Sequence, residues 1–144
     1  MSEAGNMVFV GMPFGSKSDP AFKKRCDSVF KAIDAVCDEL DLETDRVDQY
    51  AGSSPLTAQI KKMIRNADYL IFDLTAERPN VYYEIGYAHG HGHRGENIIL
   101  IAAEGTTLHF DLAHRAVKFF ADTEDLRTII EEELGAMIRE DNEE

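Results

Sequence analysis

Tryptophan is absent from the 144 residues, cysteine occurs twice and proline four times, and cations are scarce: 15 Lys and Arg face 27 Asp and Glu. Each shortage excludes something. The formal net charge of −12 argues against a nucleic-acid polymer as partner, because such binding needs clustered Lys and Arg to displace counterions from phosphates. Long apolar runs are also missing. The stretch Asn97-Ile98-Ile99-Leu100-Ile101-Ala102-Ala103 is far too short to cross a bilayer, so no membrane partner is expected. Residues 1–6 carry neither a basic n-region nor an apolar h-region, so no signal peptide is read there and a cytoplasmic location is expected.

The two cysteines do not form a disulfide framework. Cys26 and Cys37 fall in one helical pattern, where eleven positions of rise separate them by roughly 16 Å, too far for a bridge. Eleven residues is close to three turns, which puts both thiols on one apolar face as buried, inert side chains. The acidity, too, is uneven. Residues 122–144 hold ten acids and two bases, −8 of the total, and the rest of the chain carries only −4.

What is present reads as one domain, with a flexible N-terminus at 1–6, a folded unit at 7–140 and an acidic tail at 141–144. The apolar run Met7-Val8-Phe9-Val10 stops at Gly11-Met12-Pro13-Phe14-Gly15-Ser16, a strand entering a loop. Asp19-Pro20 then opens a helix, with Asp as cap and Pro in its first position. Its stripe is Phe22, Cys26, Val29, Phe30, Ile33, Val36, Cys37 and Leu40. A polar strand is expected at 44–50, with Arg46 and Asp48 on one side. A second helix follows, capped by Ser54 and Pro55, with Ile60, Met63 and Ile64 inward. Residues 68–75 form a third, buried strand, 80–89 a helix, 98–103 a fourth strand, 117–120 a fifth, and 123–139 the closing helix. Strands alternating with helices, the inner ones continuously apolar, predict a parallel sheet covered on both faces. Five such strands suit a flavodoxin-like doubly wound α/β domain in the order 2-1-3-4-5.

That topology opens a ligand crevice past the carboxyl ends of strands 1 and 3, where residues 11–16 and 73–84 emerge. Asp73 ends the apolar strand, and Glu84 lies one turn into the next helix, spaced i, i+4 from Asn80 and so on the same face. The positive end of a helix dipole favours an ionised Glu84. A fixed carboxylate of that kind serves as nucleophile in a double-displacement glycosyl transfer, and Asp73 can hold or protonate the leaving base. Spacing alone leaves another reading open, with Asp73 a strand-end cap and Glu84 a surface residue. Glycines at 11 and 15 permit close backbone approach to a phosphate or sugar, although the loop matches neither a Walker loop nor GxGxxG. Phe14 is either a platform for a base or ribose or a core aromatic. His89, His91 and His93 alternate with glycines, but no Cys or carboxylate cluster completes a ligand set, so no metal is expected. Histidines also suit the negative end of a helix dipole. No partner is apparent for His109 and His114.

Three strings, Phe9-Val10-Gly11-Met12-Pro13-Phe14, Ala67-Asp68-Tyr69-Leu70-Ile71-Phe72-Asp73-Leu74-Thr75 and Pro79-Asn80-Val81-Tyr82-Tyr83-Glu84-Ile85-Gly86-Tyr87-Ala88-His89, carry a family resemblance. In this order, and with the later Phe110-Asp111-Leu112, they resemble the nucleoside 2-deoxyribosyltransferase-like superfamily over about residues 7–120. The resemblance implies that Glu84 is the nucleophile and that Asp73 contacts the base. Gly11, Met12, Pro13, Phe14, Gly15, Ser16, Asn80 and Tyr83 would be the substrate contacts. It implies no cofactor, a small-molecule nucleoside, nucleotide or NAD as ligand, and a homo-oligomer. The transferases proper carry a further Asp just before the nucleophile, where this chain has Arg78, Pro79 and Asn80. Pro-Asn-Val-Tyr-Tyr-Glu is more like TIR-like and nucleotide-binding relatives. Cleavage of an N-glycosidic bond is therefore the expected activity, with a TIR-like NAD hydrolase or a non-catalytic nucleotide sensor as alternatives.

Overall fold

A computed structural model describes residues 5–13, 18–46, 58–76, 79–93, 95–108 and 116–143. Five strands, β1 (Met7–Gly11), β2 (Glu43–Asp45), β3 (Tyr69–Asp73), β4 (Ile98–Ala103) and β5 (Val117–Phe120), form one sheet. Every pairing is parallel and the order is β2-β1-β3-β4-β5. Helices α1 (Pro20–Glu39), α2 (Ala58–Asn66), α3 (Pro79–His91) and α4 (Thr123–Asn142) connect and close it. This is the flavodoxin-like doubly wound architecture that the alternation of elements predicts.

Parity along the strands sorts side chains between two layers. Val8 and Val10 of β1, Tyr69 and Ile71 of β3, and Ile99 and Ile101 of β4 pack with α1 and α4. The alternate residues Phe9, Leu70, Phe72, Leu100 and Ala102 pack with α2 and α3. Buried on both faces, β3 can be apolar at every position until its last, and it is.

Helix α1 begins as its sequence predicts. Asp19 accepts a hydrogen bond from the Phe22 amide at 3.2 Å, Pro20 opens the first turn, and Cys26, Val29, Ile33, Val36 and Cys37 are buried. Both thiols are free, and burial pushes the Cys37 thiol up to about 12, which leaves it inert at neutral pH.

Several boundaries differ from expectation, among them β3, which runs only from Tyr69 to Asp73. Strand β2 starts at Glu43 and ends at Asp45, because the turn at Asp41 (φ 61°) delivers Glu43 directly into register with Met7. Residues 47–57, which hold Asp48 and the expected cap at Ser54 and Pro55, lie outside the described residues. Helix α3 continues to His91 and α4 to Asn142. In α4 the last turn is held by Tyr69, whose hydroxyl donates to Asp141 at 2.6 Å. No helix among the described residues is long and apolar enough to cross a membrane.

Candidate active site

The carboxyl edge of the sheet is where β1 and β3 stop, and their last residues, Gly11 and Asp73, lie one register step apart. Glu84 reaches this edge from α3. The helix buries Val81, Ile85 and Ala88 against the sheet, and Glu84 stands at the one position of that stripe with a charged side chain. The 81, 84, 85, 88 spacing is the ordinary i, i+3, i+4, i+7 pattern of an apolar face. Glu84 is 0% exposed. It is thus not a surface residue, and it sits where a leucine would otherwise fill the core. Placing a carboxylate there carries a desolvation cost that an apolar residue would avoid.

Its carboxylate lies against the end of β1. A Cβ built on Gly11 would fall 2.7 Å from Glu84 Oε1 and 2.6 Å from Cδ1 of Phe72. The structure therefore brings Gly11 and Glu84 together, on the α2/α3 side of the sheet. Met12 and Pro13 follow, both buried.

Asp73 has a different orientation. By strand parity it shares the face of Tyr69 and Ile71, which is the α1/α4 side, so the two carboxylates flank opposite faces of the β3 end. Asp73 Oδ1 accepts from the Thr75 amide at 3.0 Å and from the Thr75 hydroxyl at 2.5 Å. The Thr75 hydroxyl oxygen in turn accepts from the Ala103 amide at 3.0 Å, and the Leu74 amide donates to Ile101. Strand-end capping is thus part of what Asp73 does, and it fixes the chain as it leaves for α3. Burial raises its carboxyl above the usual range; the Thr75 bonds and, less strongly, the Arg25 guanidinium of α1 act in the opposite direction.

The remaining expected residues divide. Tyr83, next to Glu84 in sequence but about 100° round the helix, is 59% exposed and faces away from the buried stripe. Asn80 lies in the first turn of α3. Phe14, Gly15, Ser16, His109 and His114 lie outside the described residues. Arg46 follows β2 but is turned to α1: its guanidinium lies 4.7 Å over the Phe30 ring and 3.5 Å from Asp27 Oδ1.

His89 and His91 lie in the last turn of α3, and His93 follows it. Gly92, at φ 116°, terminates α3; its amide bonds to the His89 carbonyl and that of His93 to Ala88, the paired bonds of a Schellman end. His93 Nε2 lies 2.7 Å from the Ile64 carbonyl, and its Nδ1 is 2.9 Å from the Asn97 amide nitrogen, which also donates to the Asp68 carbonyl. No group of three or more His, Cys, Asp or Glu among the described residues is placed to hold a metal.

A doubly wound parallel sheet, with a buried carboxylate held over its carboxyl edge, defines the class as a flavodoxin-like α/β protein. Among solved structures, the chain is similar to a Clostridium botulinum CMP N-glycosidase, BcmB, at 17% identity and a TM-score of 0.63, covering 86% of this chain and 97% of that one. It is similar to BlsM at 19% identity and a TM-score of 0.61, over 96% and 94% of the two chains. A diflavin flavoprotein A3 from Nostoc sp. matches at 14% identity and a TM-score of 0.52, over 92% and 90%. No protein-family model matches the sequence, and no curated protein matches it. At these identities the likeness is one of fold.

Proposed function

We propose that this protein binds a nucleoside or nucleotide at the carboxyl edge of its sheet and cleaves the N-glycosidic bond, with Glu84 as nucleophile. The observation that carries this reading is the complete burial of Glu84 at a core position of α3, against the bare backbone of Gly11. Structural packing favours an apolar residue there, whereas a displacement at an anomeric carbon needs a fixed carboxylate. The likeness of fold to a CMP N-glycosidase, over 86% of this chain, supports the reading.

In the proposed reaction a Glu84 oxygen attacks C1′. The C1′–N bond breaks with its electron pair passing to the base, which takes a proton from Asp73 as it leaves. The glycosyl ester on Glu84 is then opened by water, whose oxygen bonds to C1′ and whose proton returns to Asp73, releasing the sugar and regenerating the Glu84 carboxylate. Residues 11–16 and Asn80 hold sugar or phosphate, and Asp73, whose carboxyl burial raises above the usual range, contacts the base.

The test is direct. Purified protein is incubated with nucleosides, their 5′-monophosphates and NAD, and free base or nicotinamide is followed by chromatography. Release of base from a nucleoside or monophosphate is expected, with a loss of about 10³-fold or more in Glu84→Gln. No release from any substrate at high protein concentration removes the enzyme reading. Release that survives Glu84→Gln removes the role of Glu84.

A further inference from the structure

Gly11 is the last residue of a regular strand, paired with Phe72, and its backbone is not in the left-handed region where glycine is required. Glycine inside a strand weakens it, so the position calls for a reason other than backbone conformation. The reason is space. The place where a Cβ would stand is taken by the Phe72 ring, at 2.6 and 2.8 Å, and by Glu84 Oε1, at 2.7 Å. Phe72 is fully buried and tilted against Phe9 at 6.0 Å, so it has little freedom to yield. The Glu84 carboxylate is the end of a flexible side chain and would be the group displaced.

We propose that Gly11 is a positioning residue: its missing side chain sets where the Glu84 carboxylate is held, while its backbone stays available to the ligand. The proposal rests on the reading of Glu84 as nucleophile for its consequence in catalysis, but the positioning itself does not require turnover. A misplacement of about 1 Å at a reacting group lowers rates by about 100-fold.

The test is a double-mutant cycle with two readouts. Gly11→Ala is expected to lower kcat about 100-fold with KM changed less than twofold, and to add no further loss in a Glu84→Gln background. Independently of activity, Gly11→Ala is expected to lower the urea midpoint in the otherwise unchanged protein, and to lower it by less in Glu84→Ala, where only the Phe72 ring remains in the way. Gly86→Ala, on a helix with open space at its Cβ, serves as control and should not lower the midpoint. If the unchanged protein releases no base from any substrate, the proposed function fails while the stability cycle still decides the positioning. Equal midpoint losses in both backgrounds overturn the proposal whatever the activity, as does full kcat in Gly11→Ala.

Discussion

Asp73 and Glu84 are both buried acids near one strand end, yet burial bears differently on each. Asp73 is capped by Thr75, and its carboxyl titrates above the ordinary range because desolvation outweighs those bonds. In the unfolded chain the same carboxyl titrates in the ordinary range. Below that range both states hold the proton and no penalty arises. As the pH rises, the unfolded chain gives up its proton first, and stability is lost until the folded carboxyl also titrates. Asp73→Asn keeps an acceptor for Thr75 and removes the titration. Denaturant melts at pH 3.5 and pH 7 should show the variant gaining stability relative to the parent as the pH rises. A difference that does not change with pH would mean that the Thr75 bonds fully offset burial, and one that shrinks as the pH rises that they outweigh it. At this scale the sequence was informative about identity and poor on orientation. Asp73 and Glu84 could be picked out by their places at a strand end and in a motif. Their positions on opposite faces follow from strand parity, which becomes usable only when the end of β3 is known to the residue. The burial of Glu84 was legible in principle, since Val81, Ile85 and Ala88 already marked its face.

Among the elements, termini carry most of the specific information. Helix α4 opens on a reciprocal pair: Asp122 Oδ1 accepts from the Asp125 amide at 2.8 Å, and Asp125 Oδ2 accepts from the Ala121 amide at 2.9 Å. One orphan donor of the helix and the amide preceding its cap are satisfied, and the acids face the positive end of the dipole. Asp122→Ala should therefore destabilise by about 1 kcal/mol, read from denaturant midpoints. The end of α3 offers an internal contrast. Gly90 lies in the helix with nothing near its Cβ position, whereas Gly92 has φ 116°. Gly90→Ala is expected to stabilise by about 0.5–1 kcal/mol, and Gly92→Ala to destabilise by about 1 kcal/mol or more. Equal effects from the two would mean that the helix does not stop at Gly92. The Gly-His alternation announced a helix end but not which glycine makes it, because either can adopt positive φ. The choice is made by tertiary contacts, through His93 seated between the Ile64 carbonyl and Asn97.

For the molecule as a whole, charge is the term that the fold least relieves. Of the net −12, −8 belongs to residues 122–144, and α4 bears the exposed Glu131, Glu132, Glu140 and Asp141. The acids at its start suit the helix dipole, while Glu140, Asp141 and Glu143 crowd its negative end. Compensation is sparse: Arg127 reaches Glu39 at 3.1 Å and Lys118 reaches Glu133 at 3.8 Å, both on the surface, where such pairs contribute at most about 1 kcal/mol. This charge also explains why the helix end was misread from sequence. A stop at Arg139 would suit the dipole, but the bond from buried Tyr69 to Asp141 and the Glu143 amide bonding the Arg139 carbonyl hold one more turn. Repulsion among like charges is screened by salt, as are attractive surface pairs, so the sign of a salt effect reports which dominates. With 27 acids against 15 bases, repulsion should dominate, and Tm should rise by a few degrees between about 10 and 200 mM sodium chloride. Glu131→Gln combined with Glu132→Gln should raise Tm at low salt and flatten that dependence. A Tm that falls with salt would place the balance with the ion pairs and remove self-repulsion as a restraint on stability.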